Sequence, residues 1–270
     1  MLNNSLVPLL ILATVIVGVI FIRRKFKIPI VGSMALITGA VKSGKTTFSL
    51  ALAIRNYKRA VFKWRIRRFF CKMFFKSIPE KPLFYSNVPV AFPYVQVTKE
   101  QLLRQERFAY KSVVYLSEAS LVMDNKLYVD PAITEQIMLL CKLFGHETKG
   151  GLLIFDTQAI ADLVVDARRC LGQTFYVHHI NKWIPFLLLA YVKEQRYSED
   201  GTVVQIETND SKNGDYQRVI IPKSVWKKFD CYCYSCLTDN KPKSDTLVNN
   251  SRKTRDLKAR EIVSFRNWRF

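Results

Sequence analysis

The sequence predicts an α/β chain built on a mostly parallel central sheet, with an antiparallel hairpin added late and one apolar helix ahead of it. Three observations carry this expectation. Short apolar runs recur at residues 33–38, 113–116, 151–155 and 174–177. Three of them end in polar residues, as buried parallel strands do at their carboxyl ends. Helix-forming stretches separate the runs at the rhythm of strand–helix crossovers. The third observation is Gly39-Ala40-Val41-Lys42-Ser43-Gly44-Lys45-Thr46, a glycine-bounded turn set between the first run and the next helix.

That octapeptide fits G-x-x-x-x-G-K-[ST], the phosphate-binding loop of P-loop NTPases, a pattern that chance produces roughly once in a hundred chains of this length. A strand, a glycine turn and a helix N-terminus are what the chemistry needs. The glycines let the backbone bend with its N–H groups inward, and the helix dipole favours bound phosphate. Lys45 is expected to reach the β- and γ-phosphates, and the Thr46 hydroxyl to ligate Mg²⁺. Gly39, Ala40, Val41, Lys42, Ser43, Gly44, Lys45, Thr46 and Thr47 form the candidate ATP site.

With 270 residues the chain has room for one α/β domain and a few appendages, and 49% apolar residues are enough for a core. Its six cysteines are scattered and follow no secretory cleavage pattern, which suits a reducing compartment better than a disulfide scaffold. The formal charge of +20 implies an anionic partner, either nucleic acid or the head groups of a membrane.

Residues 6–22 are almost all aliphatic and uncharged, and Arg23, Arg24, Lys25 and Lys27 follow them. The length is at the short end for a membrane span, and the one-sided basic flank puts the rest of the chain on the cytoplasmic side. Residues 1–27 are therefore expected to be a membrane anchor with a basic stop. Residues 28–236 follow as the nucleotide-binding domain and 237–270 as a basic tail. Within the domain, residues 57–80 read as a basic, aromatic insertion. Its Phe62, Ile66, Phe69, Phe70 and Met73 fall at helical spacing among eight cations and no acid before Lys76. Such a helix can lie in the membrane interface, pack on the core, or stack its rings on single-stranded nucleic acid.

Further along, a short strand ending in a turn is expected within 81–89 and another at 94–97, and Thr98-Lys99-Glu100-Gln101 is a capping box opening a helix towards Phe108. Asp130-Pro131 starts a helix running to about Gly145, and another is expected from about Ile160 to Leu171. Residues 186–193 and 203–208 flank Ser198-Glu199-Asp200-Gly201 as an antiparallel hairpin.

An NTPase needs a carboxylate to orient water and usually another to hold Mg²⁺. The strand ending Ser117-Glu118 offers Glu118 as general base, with Ser117 in the metal position. The strand ending Asp156-Thr157-Gln158 offers Asp156 as an alternative metal-facing acid. The first assignment is preferred, because Gln158 then suits the polar sensor on an added central strand. Arg168 and Arg169 are candidate arginine fingers acting on a neighbouring subunit, or helix-end cations complementing a dipole. Cys231, Cys233 and Cys236 lack a fourth ligand at zinc spacing.

The chain resembles the Zot-like family, inner-membrane assembly ATPases of filamentous phages within the FtsK–HerA-type branch of P-loop translocases. The resemblance rests on residues 39–46, Phe84-Tyr85-Ser86-Asn87-Val88-Pro89, Ser117-Glu118-Ala119, Asp156-Thr157-Gln158, the arginines at 168 and 169, and a closing segment at 221–230. It implies a ring-forming ATPase of the host's inner membrane that drives extrusion of virions carrying single-stranded DNA. Its expected partners are membrane lipid, coat and assembly proteins, and the DNA. Ser117 stands where the family usually has an Asp, and the apolar segment precedes the ATPase domain instead of following it. Two other readings remain beside this one: a DNA-translocating packaging or conjugation ATPase, and a nucleotide-binding scaffold that does not hydrolyse.

Overall fold

The structure is a computed structural model that describes residues 26–119, 131–158, 160, 163, 165–197, 203–204 and 216–229, together with Thr14 and Gly18. Among the described residues nine strands form one sheet. They are β1 (Met34–Thr38), β2 (Phe84–Ser86), β3 (Val95–Gln96), β4 (Val113–Leu116), β5 (Leu152–Thr157), β6 (Gln173–Ile184), β7 (Leu187–Tyr197), β8 (Val203–Val204) and β9 (Gln217–Pro222). The helices are α1 (Lys45–Met73), α2 (Lys99–Leu102), α3 (Pro131–Glu147), α4 (Val165–Arg169) and α5 (Lys223–Trp226).

Across the sheet the order is β3-β2-β4-β5-β1-β6-β7-β8, with β9 also paired to β7. Pairing from β3 to β6 is parallel throughout. The β6–β7, β7–β8 and β7–β9 pairs are antiparallel. This is the expected mostly parallel sheet with an antiparallel addition. The expected hairpin forms as β7 against β8, but through Arg196 and Tyr197 paired with Val204 and Val203, while residues 187–192 pair β6 and β9 instead. The sequence did not show that β6 runs on to Ile184 and folds back on β7 as the longer hairpin.

Side-chain alternation divides the sheet between two cores. Ala35, Ile37, Val113, Tyr115 and Ile154 face the first half of α1. Met34, Leu36, Val114, Leu116, Leu153 and Phe155 face Ile137, Leu140, Cys141 and Phe144 of α3. Strands buried on both faces need continuous apolar runs, which is why the runs in the sequence marked them.

Three expectations change in shape. The P-loop helix and the basic segment are one continuous helix, because no Gly or Pro interrupts residues 45–73 and nothing in that stretch ends a helix. The capping box is present, with Gln101 N–H donating to Thr98 Oγ1 and Thr98 N–H to Gln101 Oε1, both at 3.2 Å. Its helix, however, stops at Leu102 well short of Phe108. The helix expected from Ile160 is confined, among the described residues, to Val165–Arg169.

Among the described residues no helix is long and apolar enough to cross a membrane. The anchor expected at residues 6–22 lies outside them, save for Thr14 and Gly18, which are helical. The basic tail and the three clustered cysteines also lie outside the described residues.

Candidate nucleotide site

β1 delivers the loop. Its last residue, Thr38, is buried, and the chain then turns through Gly39 to enter α1 at Lys45. Gly44 has φ +89°, a left-handed conformation that costs other residues strain. A Cβ there would sit 2.5 Å from Ile180 Cδ1, and one at Gly39 would sit 2.7 Å from the Val177 carbonyl oxygen. Both glycines are thus required by close contact with β6 as well as by backbone bending. Lys42 is left-handed too, at φ 63°.

The loop presents the groups a phosphate needs. α1 has no side-chain cap at its N-terminus and no acid in its first turn. Its leading N–H groups have no intrahelical acceptor by geometry. Lys45 is buried, and Ser43 Oγ and Thr38 Oγ1 are buried without a hydrogen-bond partner among the described residues. Orphaned hydroxyls inside a glycine turn at a helix dipole's positive end fit an anionic oxygen cluster.

The carboxylates come from β5 and β4, the two successive strands on one side of β1. β5 pairs β1 directly, and β4 pairs β5, so one strand separates the loop's strand from the strand ending in Ser117-Glu118. Two inter-strand spacings put β4 about 10 Å from β1, room for a phosphate and a water between them. Glu118 is exposed beyond β4 and left-handed at φ 51°. Its N–H donates to Asp156 Oδ1 at 2.8 Å, which offsets part of that backbone's cost. Gln158 is exposed just beyond β5.

Asp156 is fully buried and is engaged on both oxygens. Tyr115 Oη donates to Oδ2 at 2.6 Å and Ser49 Oγ at 2.9 Å. Ser117 Oγ approaches Oδ1 at 3.3 Å. Burial, and then the Asp156 charge, hold the Tyr115 phenol well above the usual tyrosine range, so it remains a donor. Ser49 lies one turn after Thr46 on α1, and the Thr46 carbonyl oxygen at 3.0 Å is a second acceptor that shares its single hydroxyl proton with Asp156, tying the carboxylate to the loop's helix. In this arrangement Asp156 joins α1, β4 and β5 beneath the site.

Four residues here carried no signal strong enough to be singled out from sequence. Asn87, just past β2 and fully buried, accepts the Ser117 N–H at 2.8 Å and donates to the Ser117 carbonyl oxygen at 2.9 Å, as a strand rung would. Ser49 and Tyr115 read as ordinary helix and strand residues. Ile180 reaches Gly44 because the β6–β7 register shifts between Val177 and His179, which places Val177 and Ile180 both against the loop. The polar Ser86-Asn87 pair closing a strand was the one available hint.

Arg168 and Arg169 end α4, and Arg168 Nε donates to the Leu163 carbonyl oxygen of its own chain at 2.8 Å. Among the described residues no group of three or more His, Cys, Asp or Glu side chains is placed to hold a metal ion.

No family model and no curated protein matches the chain. Among solved structures it is similar to the N-terminal domain of zonular occludens toxin from Neisseria meningitidis, with 14% identity, TM-score 0.43, 74% of this chain and 99% of that one. It is similar also to the genome packaging NTPase B204 from Sulfolobus turreted icosahedral virus 2 in complex with ATP-gammaS, with 16% identity, TM-score 0.33, 64% of this chain and 95% of that one. A third is the FIGL-1 AAA domain in complex with ADP, with 16% identity, TM-score 0.33, 58% of this chain and 48% of that one.

Proposed function

We propose that this chain is an ATPase of the host's inner membrane, held there by residues 6–22, that drives assembly and extrusion of filamentous phage virions carrying single-stranded DNA. The observation that carries the ATPase reading is the loop of residues 39–46 at the carboxyl end of β1, with Glu118 two strands away across β5.

Each residue then has a task. The loop N–H groups and Lys45 hold the β- and γ-phosphates, and Thr46 with Ser117 provides hydroxyls for Mg²⁺. Asp156 stands behind Ser117 as an outer partner that orients it and supplies negative charge nearby. Thr46 and Ser117 would hold the Mg²⁺, whose chemistry there would be to offset negative charge developing on the phosphates. Glu118 orients the attacking water as general base, Gln158 senses the γ-phosphate, and Arg168 or Arg169 serves the neighbouring subunit of a ring. Coat proteins and the single-stranded DNA are the cargo, and the +20 charge suits both DNA and an anionic bilayer.

The test is ATP turnover by the full chain in neutral detergent, with and without single-stranded DNA. Lys45→Ala is expected to abolish binding of a fluorescent ATP analogue. Glu118→Gln is expected to keep binding while lowering turnover by about 10²-fold or more. Intact binding with no turnover in the unsubstituted chain would leave a nucleotide-binding scaffold in place of a motor.

A further inference from the structure

A cavity opens at the sheet's opposite edge from the phosphate loop. Gly32 precedes β1, Pro82 precedes β2, and Val113 and Leu152 begin β4 and β5. All four line one open cavity of about 660 Å³, within the range of small-molecule sites. Strands of this length hold the two edges roughly 16 Å apart, so nucleotide in the loop does not occupy this cavity.

Its wall is built from the outer half of α1 and from two loops. Arg59, Lys63 and Arg67 recur at i, i+4 and i+8 on one helix face, and Lys111 and Lys149 meet them from the sheet's amino-terminal edge. Against these five cations the lining holds a single acid, Glu80. The wall is braced: Trp64 Nε1 donates to the Pro79 carbonyl oxygen at 2.8 Å, and Lys149 Nζ lies 4.7 Å from the Tyr110 ring centre. An unbalanced cationic cavity with fixed walls is a site for a compact anion such as phosphate.

The surroundings select the source of that phosphate. Ile30, Val31 and Trp64 make part of the lining apolar. On the adjoining face of α1, Phe62, Ile66, Phe69 and Phe70 are exposed by 46–65%. Ile30 is eight residues from Ile22, the end of the apolar run, a distance the chain spans in at most about 28 Å. A polynucleotide needs successive ring faces along an open groove, whereas the lining indole is Trp64, and Arg68 already stacks on it at 5.2 Å. We infer that this cavity binds the phosphate headgroup of an anionic phospholipid, with the acyl chains leaving along the exposed apolar stripe of α1. The choice of lipid rests on the membrane placement proposed above.

The test uses the full chain in neutral detergent, titrated calorimetrically with short-chain phosphatidylglycerol, short-chain phosphatidylcholine, inorganic phosphate and oligothymidylate. Saturable binding of phosphatidylglycerol alone is expected, weakened tenfold or more in a Lys63→Gln/Lys149→Gln variant. Both positions are exposed, so the variant should retain binding of the fluorescent ATP analogue. Lys45→Ala should lose the analogue and keep phosphatidylglycerol, which separates failure of the nucleotide reading from failure of this one. Cell fractionation of the same variants tests the membrane placement by itself. The proposal is overturned if phosphatidylcholine binds equally, if the double variant binds as tightly as the unsubstituted chain, if inorganic phosphate binds as tightly as the lipid, or if oligothymidylate displaces the lipid.

Discussion

At the scale of single residues, the buried carboxylate of Asp156 organises the site. Its donors sit at positions 49, 115, 117 and 118, so their convergence depends on three elements meeting and left no trace in the order of residues. The strand ending in Asp was legible; the hydroxyls turned towards it were not. Asp156→Asn replaces a charged acceptor by a neutral one and sets an amide N–H₂ against donors. It is expected to cost about 2–4 kcal/mol in urea unfolding, while Ser117→Ala costs about 1 kcal/mol. A stability loss below 1 kcal/mol for Asp156→Asn, with turnover abolished, would make Asp156 a metal-facing acid instead. Burial also pushes the Cys141 thiol up to about 12 from an ordinary 9.0, and Tyr115 moves in the same direction. Both groups hold their protons more tightly folded than unfolded, so their stabilisation is complete below about pH 9 and is lost as pH rises. The urea midpoint should therefore fall between pH 9 and 11, and less steeply in Cys141→Ala.

At the scale of elements, α1 joins two jobs in one rod. Its buried residues end at Tyr57, and none of the following residues to Met73 is buried. The first half is held by sheet and loops on all sides, and the second half projects past the sheet's edge, its length set by 1.5 Å per residue. From the sequence the halves looked like a helix and an insertion, because composition shifts sharply at residue 57. Composition marks environment, however, and a change in environment at residue 57 does not by itself break a helix whose residues through Met73 include no Gly or Pro. The exposed rings also show that the outer apolar stripe is not packed on the core formed by the described residues. Phe69→Ser/Phe70→Ser should then change folding stability by no more than about 0.5 kcal/mol per site. Flotation of the full chain with anionic vesicles, scored against residues 6–22 replaced by a polar linker, should show the double variant binding less in the linker background. A stability loss above 2 kcal/mol would mean that the stripe is core.

At the scale of the whole molecule, the nucleotide site and the cationic cavity occupy opposite edges of one sheet, bridged by α1. A ring in which ATP is read by a neighbour places Arg168 or Arg169 across a subunit boundary. Arg168 donates to its own Leu163 carbonyl oxygen, so assembly has to turn one of these helix-end arginines outward. The particle mass in detergent should rise on adding a non-hydrolysable ATP analogue, and should not rise in Lys45→Ala. A mass independent of nucleotide would remove the fingers from the mechanism.

By itself the sequence determined the loop, the parallel strands and the order of their polar ends, because these depend on local pattern: apolar runs, glycines at fixed spacing, and a helix starting directly after. Tertiary structure alone decided which strands stand side by side, that β6 presses on Gly39 and Gly44, and that Asn87, Ser49 and Tyr115 serve the site. Those are contacts between residues 30 to more than 130 positions apart, set by how two faces of a sheet find their helices. The cationic cavity belongs to the same group. Its five cations are visible in the chain one by one, and only the crossing of α1 over the sheet's edge brings them to one wall.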